Sequence, residues 1–290
     1  MTYPIILAHG IARFDVLARE IAALEIGVGS GDDDLHYFRR IASTLRDRKF
    51  VVYHSDVPFA AAVKVRAAQL RANIESVRAR TRAAKVHIIA HSMGGLDARH
   101  MLFDGQKDRV HDTVASLTTI GTPHLGTSFA DWGVRHAREL FHLLEFAGIQ
   151  SLDGFRDLTR DACGTFDARA AGFEDSCGVL FQTVVGTQSL TRIFAPLQVP
   201  WFIIDAEEGP NDGLVPAPSA EWRGRSQSIR RIDADHLNQV GWWDPNEIGG
   251  SLYPSWTGTR ESRREMEQRL RDLYVEIASD LADRFPLGAA

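Results

Sequence analysis

One stretch of ten residues limits the fold of this chain more than any other part of its sequence. It runs Val86-His-Ile-Ile-Ala-His-Ser-Met-Gly-Gly95, in which an apolar run ends at a serine and a helical pattern begins at about Met93. A strand that reverses into a helix this quickly holds the residue at the turn, Ser92, in a strained backbone conformation. Only small residues fit two positions before and after such a turn, and Ala90 and Gly94 are small. The stretch therefore predicts a strand, a tight turn that presents a serine, and a helix packed on the strand.

Apolar runs of strand length recur along the chain and alternate with helical patterns. Residues 35–48, 61–80 and 258–285 repeat apolar side chains every three or four positions, which is the period of helices packed on a sheet. One helix after each strand is typical of a parallel sheet, because parallel strands need crossover connections. The chain is therefore predicted to be an α/β protein with a mostly parallel, doubly wound sheet. Its predicted strands are Ile5 to Ala8, Phe50 to Tyr53, Val86 to Ala90, Val114 to Ile120, Gly178 to Val185 and an edge strand, Ser228 to Ile232.

Residues 126–175 interrupt this alternation. They place about fifty residues between two strands without a strand pattern of their own, which predicts a helical cap inserted into a single domain spanning residues 1–290. Within the cap, Ala130, Val134 and Phe141 recur at helical spacing, so an amphipathic helix is expected from Ala130 to Ala147. The sequence is compatible with two states of this helix, a mobile lid over the site or a static helix packed on the core.

The composition excludes several classes of function. Hydrophobic residues make up 44% of the chain and charged residues 24%, as in a globular protein with one sizeable core. The net charge is -5 and both signs are mixed along the chain, so no basic surface for nucleic acid is predicted. No apolar run reaches the roughly 18 residues that span a bilayer. The chain also lacks the motifs of metalloproteases, nucleotide-binding loops and zinc sites, so no cofactor and no metal ion are predicted.

Cellular location, redox state and oligomeric state stay open. The residues that follow Met1 lack the basic region and the cleavage site of a signal peptide, so the chain as written is expected to be cytoplasmic. A mature secreted enzyme that begins with an added Met would look the same. Cys163 and Cys177 are too few for a disulfide framework, and the sequence is compatible with one bond between them or with two free thiols.

Ser92 needs two partners if it acts as a nucleophile. A serine hydroxyl is a weak nucleophile at neutral pH, and a histidine oriented by an acidic residue activates it. In a sheet of this kind the acid and then the histidine follow the serine along the chain. His236 lies just after the predicted edge strand and is the predicted base. The other histidines with room for an intervening acid precede the predicted cap or lie within it, and they are His111, His124, His136 and His142.

Several aspartates could orient His236. Asp212 lies in Gly209-Pro-Asn-Asp-Gly-Leu-Val215, a turn of the kind that leaves a strand end exposed, although such turns are more often simple loops. The residues alone do not separate Asp212 from three alternatives. Those alternatives are Asp205, Asp233 and Asp235.

The end of the first strand supplies the last element that acyl transfer needs. That reaction requires backbone N–H groups aimed at the oxygen that becomes negatively charged. His9 and Gly10 end the first predicted strand, and the N–H groups of Ile11 and Met93 are the predicted donors. The alternative for His9 and Gly10 is an ordinary turn from strand to loop.

Six blocks of the sequence resemble the bacterial family I triacylglycerol lipases and their lipase-like relatives. The serine motif departs from that family at one position, because Ala90 stands where glycine is usual. The resemblance implies an α/β-hydrolase fold. In chain order the blocks are Tyr3-Pro-Ile-Ile-Leu-Ala-His-Gly10 with Phe14-Asp15, Val65-Arg-Ala-Ala-Gln-Leu70, Ala90-His-Ser-Met-Gly-Gly95, Thr119-Ile-Gly-Thr-Pro-His124, Asn211-Asp-Gly-Leu-Val215 and Asp235-His-Leu237.

The resemblance implies roles for individual residues. It also places Arg66 where the family keeps an arginine that braces the oxyanion loop. Arg66 is therefore expected to be buried and bonded to backbone carbonyls near residues 9–14, whereas an ordinary helix arginine would be solvated. The implied roles are nucleophile for Ser92, acid for Asp212, base for His236 and oxyanion hole for Ile11 and Met93.

The resemblance also implies a reaction and a class of substrate. The expected reaction is hydrolysis of carboxylic esters by a lipase or esterase, with an ester or lipid substrate that is met at a lipid–water interface if the cap is a lid. A thioesterase or an acyltransferase would use the same three residues, and these activities stay open. A hydrolase fold kept only for binding is disfavoured, because such proteins usually lose one of the three residues.

Well-known members of the family that this chain resembles bind one calcium ion near the catalytic histidine. They supply one carboxylate from a Leu-Thr-x-Phe-Leu-Asp-Pro stretch and another shortly after the histidine. Ala195 and Asn238 stand at these two positions here. Because calcium prefers oxygen ligands that include carboxylates, the chain is predicted to need no calcium. Asp233 and Asp235 are the residues that could rebuild such a site.

Overall fold

Six parallel strands make up the sheet in the part of the chain that the structure describes. The structure, a computed structural model, describes residues 2–11, 36–136, 153–242 and 263–286. Neighbouring strands are parallel throughout, in the order β2-β1-β3-β4-β5-β6. The predicted α/β fold with its mostly parallel sheet is confirmed. The strands are β1 (Ile5–Ala8), β2 (Val52–His54), β3 (Val86–His91), β4 (Val114–Ile120), β5 (Leu180–Thr187) and β6 (Ile229–Asp233).

The helices follow the strands in the alternation that the sequence predicts. The main difference concerns the first helix, which begins at Ile41 and not near residue 35. Arg40 has a left-handed backbone with φ 58°, and a right-handed helix cannot run through such a residue. The α-helices are α1 (Ile41–Asp47), α2 (Val63–Thr81), α3 (Met93–Asp104), α4 (Ser128–Arg135), α5 (Asp153–Arg156), α6 (Arg160–Glu174), α7 (Gln198–Glu208), α8 (Ala217–Glu221) and α9 (Arg263–Arg284). Short 3-10 helices span Gln106–Asp108, Val110–Thr113, Leu190–Arg192, Ala195–Leu197 and Asn238–Val240.

Both faces of the central strands are buried. Ile5 and Leu7 of β1 pack into the apolar cluster that includes α1 and α9, whereas Ile6 and Ala8 pack into the cluster on the opposite face with α2 and α3. Successive side chains of a strand point to opposite faces, so a strand covered on both sides must be apolar at every position. This is why the strands are visible in the sequence as continuous apolar runs.

The strand order reverses between β1 and β3, and that point positions the site. The two strands are neighbours, with Ala8 beside Ala90. In open parallel sheets the crevice at the carboxyl ends of the strands at such a reversal is the usual place for a ligand. His9 follows β1 and Ser92 follows β3, so both residues lie at this crevice.

Helices occupy the described part of the segment between β4 and β5. They are α4, α5 and α6, and Arg99 of α3 holds α6 through an ion pair with Glu174 in which both side chains are buried (2.8 Å). Of the amphipathic helix expected from Ala130 to Ala147, α4 covers the part that ends at Arg135. The remainder of that prediction, residues 137–147, lies outside the described residues.

Two further features bear on the predictions. Cys163 on α6 and Cys177 after it are free thiols, so of the two alternatives for the cysteines the structure has the unbonded one. Within the described residues, no helix combines the length and the apolar character that a membrane span requires.

Candidate active site

Ser92 occupies the turn between β3 and α3 in a strained backbone conformation. Its φ is 56° and its ψ is -132°, values that a residue with a side chain rarely adopts. Its N–H donates to the carbonyl of Ile120 at the end of β4 (2.9 Å), and its own carbonyl accepts from the Thr122 hydroxyl (2.8 Å). These contacts hold the turn in the conformation that the surrounding sheet imposes.

Gly94, two residues after Ser92, allows α3 to begin directly against the sheet. A Cβ at Gly94 would lie 2.6 Å from the carbonyl oxygen of Ala8 and 2.8 Å from that of His9, closer than a carbon atom can approach an oxygen. The helix that follows the serine can therefore begin this close to the end of β1 only because residue 94 has no side chain.

His236 and Asp212 form a buried hydrogen-bonded pair. The Nδ1 atom of His236 lies 2.8 Å from Oδ2 of Asp212, and the backbone N–H of His236 donates to the Asp212 carbonyl (2.8 Å). Only 1% of each residue is exposed. The other carboxylate oxygen, Oδ1, accepts the N–H groups of Leu214 (3.0 Å) and Val215 (2.8 Å). The Asp212 carboxylate is therefore fixed from both sides.

Asp212 reaches the end of the sheet by a longer route than the sequence suggests. Its turn does not leave a strand directly, because α7 lies between β5 and the turn. The N–H of Gln188, just after β5, donates to the carbonyl of Asn211 (2.9 Å) and ties the turn back to the carboxyl end of β5. Gly213 within the turn has φ +100°, a conformation that favours glycine.

The pair lies beside the serine turn. His91, the residue before Ser92, packs its ring against that of His236, with 4.4 Å between the ring centroids. The Cβ that a side chain would add at Gly121 would lie 3.0 Å from Oδ2 of Asp212. Gly121 follows Ile120, whose carbonyl accepts the Ser92 N–H, so the end of β4 touches both the serine turn and the acid. The structure thus brings together the three residues predicted as nucleophile, acid and base.

The alternative aspartates lie elsewhere. Asp205 on α7 and Asp233 at the end of β6 are exposed. Asp235 is buried, but its carboxylate accepts backbone N–H groups and does not contact the His236 side chain in any hydrogen bond of the described residues. Asp212 is thus the aspartate bonded to the imidazole of His236.

The alternative histidines are used for other contacts or lie apart. His124 is buried, with its ring stacked on Trp222 (4.2 Å between centroids) and its Nε2 2.9 Å from the Thr119 hydroxyl. Burial holds the pKa of His124 well below its usual range, with a further contribution from nearby Arg99. His111 lies in a 3-10 helix before β4, His136 is exposed after α4, and His142 lies outside the described residues.

The loop after β1 is held by Arg66, as the resemblance implies. Arg66 is fully buried, and its guanidinium donates to the carbonyls of His9 (2.8 Å) and Gly10 (3.1 Å). The Ile11 carbonyl accepts the N–H of Ala60 (3.1 Å), which holds the next residue of the same loop. Met93, the other predicted oxyanion donor, is the first residue of α3 and is buried.

The sequence is similar to a known domain family and to named lipases. Residues 67–145 match the family model of the PGAP1-like alpha/beta domain. The chain is 28% identical over 255 residues to Triacylglycerol lipase 2 of Saccharomyces cerevisiae. The aligned region covers 86% of this chain and 74% of that relative. It is 35% identical over 133 residues to a triacylglycerol lipase of Pseudarthrobacter phenanthrenivorans, covering 45% of this chain and 36% of that relative. The chain therefore spans well under two thirds of the bacterial relative.

Solved structures of lipases and esterases share the fold of this chain. The mature form of Bacillus licheniformis lipase BlEst2 superposes with a TM-score of 0.64 at 18% identity, over 81% of this chain and 85% of that one. The metagenomic carboxyl esterase MGS0156 superposes with a TM-score of 0.63 at 17% identity, over 96% and 76%. The chain has the α/β-hydrolase fold of these lipase and esterase structures.

The two stretches that bind calcium in the lipases that this chain resembles make other contacts here. Ala195 begins a 3-10 helix, and Asn238 donates its amide to the Trp242 carbonyl (3.0 Å). Asp235 already accepts N–H groups from Phe194, Leu237 and Asn238. Within the described ranges, no group of three or more His, Cys, Asp or Glu side chains could hold a metal ion. Ala195 and Asn238 therefore supply neither of the two carboxylates of that calcium site.

Two buried residues of the candidate site were not predicted from the sequence. Asp97 on α3 receives the Arg66 guanidinium on both carboxylate oxygens, with a shortest distance of 2.7 Å. Burial raises the pKa of Asp97 to about 6, although Arg66 opposes that shift. Gln239 donates its amide to Oδ2 of Asp212 (2.7 Å). For Asp97, one signal was available: it is a charged residue between Leu96 and Ala98 on the helix that follows Ser92.

A third contact of the site involves an aromatic hydroxyl. The Tyr37 hydroxyl lies 2.7 Å from Nδ1 of His91, the residue before the serine. A Cβ at Gly10 would lie 2.5 Å from that hydroxyl and 3.3 Å from Oγ of Ser92, so both oxygens face the small space at Gly10. Burial holds the pKa of His91 well below its usual range, with a smaller contribution from His236. Glycine at position 10 is thus required by the packing of the site.

Proposed function

We propose that this hydrolase cleaves carboxylic esters, with lipid esters as its main substrates, through Ser92, His236 and Asp212. The observation that carries the proposal is the buried His236–Asp212 pair, with 2.8 Å between Nδ1 and Oδ2, beside a serine held at a strained turn. A serine, a histidine and an aspartate in this relation are the machinery of acyl transfer. The lipid class is proposed because the yeast and bacterial relatives are named triacylglycerol lipases.

The mechanism follows from the chemistry of the three residues. His236 removes the proton of the Ser92 hydroxyl while the oxygen attacks the ester carbonyl. The protonated imidazole then gives its proton to the departing alcohol, which leaves an acyl group on Ser92. Water, activated by His236, attacks this acyl-enzyme and releases the carboxylic acid. Asp212 keeps Nδ1 of His236 protonated and stabilises the positive imidazole in each half of the reaction.

Backbone N–H groups stabilise the negative oxygen in the proposed reaction. The donors are Ile11, in the loop after β1, and Met93, at the N-terminus of α3. Each such donor is typically worth roughly 3 kcal/mol in the transition state, because it already points at the position where charge develops. Arg66 supports this arrangement because it fixes the carbonyls of His9 and Gly10, just before Ile11.

The proposal is tested by replacing the nucleophile. Ser92→Ala should lower kcat for p-nitrophenyl esters by about 10³-fold or more, because a triad without its nucleophile retains only the contribution of binding and the oxyanion hole. His236→Ala should have a comparable effect, whereas Asp205→Asn, at an exposed aspartate, serves as the control and should keep full activity. The melting temperature of each variant shows whether it is folded.

The choice of substrates separates the possible activities. p-Nitrophenyl esters of graded acyl length measure ester hydrolysis, and an acyl-CoA in the same series measures thioesterase activity. Adding an alcohol acceptor reveals acyl transfer in place of hydrolysis. Substantial ester turnover by folded Ser92→Ala would contradict the proposal, and a strong preference for acyl-CoA would replace the ester with a thioester.

A further inference from the structure

We infer that Gln239 is a positioning residue of the hydrolase, whose side-chain amide holds Asp212 in the orientation that receives His236. The inference rests on the proposed function, because it concerns the acid of the proposed triad. Gln239 does not touch the reacting atoms, and it acts through Asp212. Three observations carry the inference: its hydrogen bond, the space made for it, and the orientation of its amide.

The hydrogen bond of Gln239 goes to the same carboxylate oxygen that His236 uses. Nε2 of Gln239 lies 2.7 Å from Oδ2 of Asp212, and Nδ1 of His236 lies 2.8 Å from the same atom. Gln239 is fully buried, and its own N–H donates to the Asp235 carbonyl (3.2 Å). One short segment after β6 therefore supplies both the base and an amide that grips the acid.

Two glycines make the space that the Gln239 amide fills. A Cβ at Gly121 would overlap Oε1 of Gln239, and a Cβ at Gly186 would overlap its Nε2. Gly186 does not have a positive φ, so the position needs glycine for space, which the Ala234 carbonyl oxygen also limits (2.8 Å from such a Cβ). Gly121 has φ +53°, so its backbone favours glycine as well. The ends of β4 and β5 are thus shaped around this amide, which leaves the side chain little freedom to turn.

Among the described residues, Asp212 is the partner that explains the orientation of the amide. Nε2 faces the carboxylate, whereas Oε1 is buried and has no hydrogen-bond partner among the described residues. A buried acceptor without a partner is destabilising. A methionine or leucine would fill the same volume without that cost, so packing does not account for a glutamine here. What the amide adds is a donor to Asp212.

This donor has two consequences for the proposed triad. Together with the N–H groups of Leu214 and Val215 on Oδ1, it prevents the Asp212 carboxylate from rotating. It also partly neutralises the negative charge on Oδ2, which weakens the attraction of that oxygen for His236. Removal of the amide should therefore disorder the acid and strengthen the attraction of Asp212 for a protonated imidazole.

The test compares two substitutions that differ in one property. Gln239→Met keeps the volume and removes the donor. Gln239→Glu keeps a donor while its carboxyl is protonated, which a buried carboxyl beside Asp212 should be near neutral pH. Gln182→Met is the matched control, because Gln182 is also buried and donates its amide to an aspartate, Asp280 of α9, away from the site (3.1 Å).

The readouts are kcat, KM, the pH dependence of kcat/KM and the melting temperature. We expect Gln239→Met to lower kcat about tenfold or more with little change in KM, by analogy with the 10- to 100-fold effects of groups that orient metal-binding side chains. The acidic limb of its profile should move to higher pH. Gln239→Glu should recover most of kcat near neutral pH and lose it in alkali, where its carboxyl ionises beside Asp212.

Each outcome decides the inference. If folded Gln239→Met keeps the kcat and the pH profile of the parent protein, or if Gln239→Glu shows neither recovery nor an alkaline loss, Gln239 does not position Asp212. If Gln239→Met does not fold, the alkaline loss of Gln239→Glu decides alone. Unaltered Gln239 variants together with an inactive Ser92→Ala would reject only this inference, whereas an active Ser92→Ala would reject the proposed function itself.

Discussion

Arg66 is a buried charge whose hydrogen bonds hold the proposed oxyanion loop. Its guanidinium bonds to Asp97 and also to the carbonyls of Pro58, His9 and Gly10. A planar fork with five N–H groups can serve all of these acceptors at once, and a lysine cannot. At the scale of the single residue, Arg66 connects three elements: the loop after β1, the loop before α2, and α3, which follows Ser92.

Arg66→Lys should therefore impair both stability and catalysis. Lysine keeps the positive charge near Asp97 but leaves buried carbonyls without a donor, which should lower the free energy of unfolding by about 1–3 kcal/mol. We expect kcat to fall about tenfold or more, because the oxyanion donor at Ile11 is no longer held. Urea unfolding and ester kinetics measure the two effects.

Arg71→Lys provides the matched control for this prediction. Arg71 lies on the same helix, and its side chain is 37% exposed in ion pairs with Glu75 and Asp108. Exposed pairs of this kind contribute little, so the substitution should change the free energy of unfolding by less than about 1 kcal/mol. Equal effects of the two substitutions would show that Arg66 has no special role in the loop.

The segment after β6 is the element that carries His236, and protein contacts hold it. The Asp235 carboxylate accepts the N–H groups of Leu237 (2.9 Å) and Asn238 (2.8 Å) on one oxygen and that of Phe194 (3.1 Å) on the other. Burial raises the pKa of Asp235 to about 6, although these N–H groups oppose the shift. The Tyr274 hydroxyl of α9 donates to the Gln239 carbonyl (2.9 Å). This segment is thus tied to two other parts of the chain.

Removal of calcium should consequently leave the protein unchanged. Asp235 uses both carboxylate oxygens within the segment, and residues 195 and 238 carry no negative charge, so a hard cation finds few anionic ligands there. Melting temperature and ester hydrolysis should be the same with and without an excess of chelator. A loss of either that added calcium restores would contradict the prediction.

The elements of the sheet could be predicted because their signals are local. A strand buried on both faces has to be apolar throughout, and a serine turn has to be flanked by small residues, so β1, β3 and the turn at Ser92 are legible in short windows. Asp212 is different. Its position depends on α7, inserted after β5, and on the hydrogen bond from Gln188 to Asn211 that returns its turn to the sheet. Residue patterns alone do not distinguish Asp212 from the other aspartates that could orient His236.

Asp97 and Gln239 escaped prediction for a related reason. Each is a buried polar residue whose role is set by a partner far away in the chain, 31 residues for Asp97 with Arg66 and 27 residues for Gln239 with Asp212. A buried polar side chain has to be hydrogen-bonded, but its sequence neighbours do not reveal with what. Only the assembled sheet brings these partners together.

The molecule as a whole buries several histidines in the uncharged form, and this makes its stability depend on pH. His87 on β3 is buried, with Nδ1 2.7 Å from the Ser116 hydroxyl and Nε2 3.1 Å from that of Thr2. Burial lowers the pKa of His87 to about 4. Between that value and the ordinary 6.5, the unfolded chain takes up a proton that the folded chain refuses. This contribution to stability is present above about pH 6.5 and is lost as the pH falls towards about 4.

His87→Gln should weaken that dependence. The glutamine amide can still bond to a hydroxyl but does not titrate in this range. The difference in unfolding free energy between pH 7 and pH 5 should therefore be smaller in the variant by about 2 kcal/mol. Urea unfolding at both pH values measures it, with His136→Gln, at an exposed histidine, as the control. An unchanged difference would mean that His87 is not the source.

The buried thiol on α6 can report local opening of the cap. Cys163 is 2% exposed, and its thiol donates to the Asp157 carbonyl (3.2 Å). Burial raises the pKa of this thiol to about 12. As long as α6 stays in place, Cys163 should therefore not react with a thiol reagent. Its modification in Cys177→Ala should then proceed only as fast as α6 separates from α3, and immediate modification would contradict this. At a reagent concentration high enough for labelling to outpace reclosing, the rate of a simple colour reaction measures how often the helices above the sheet come apart.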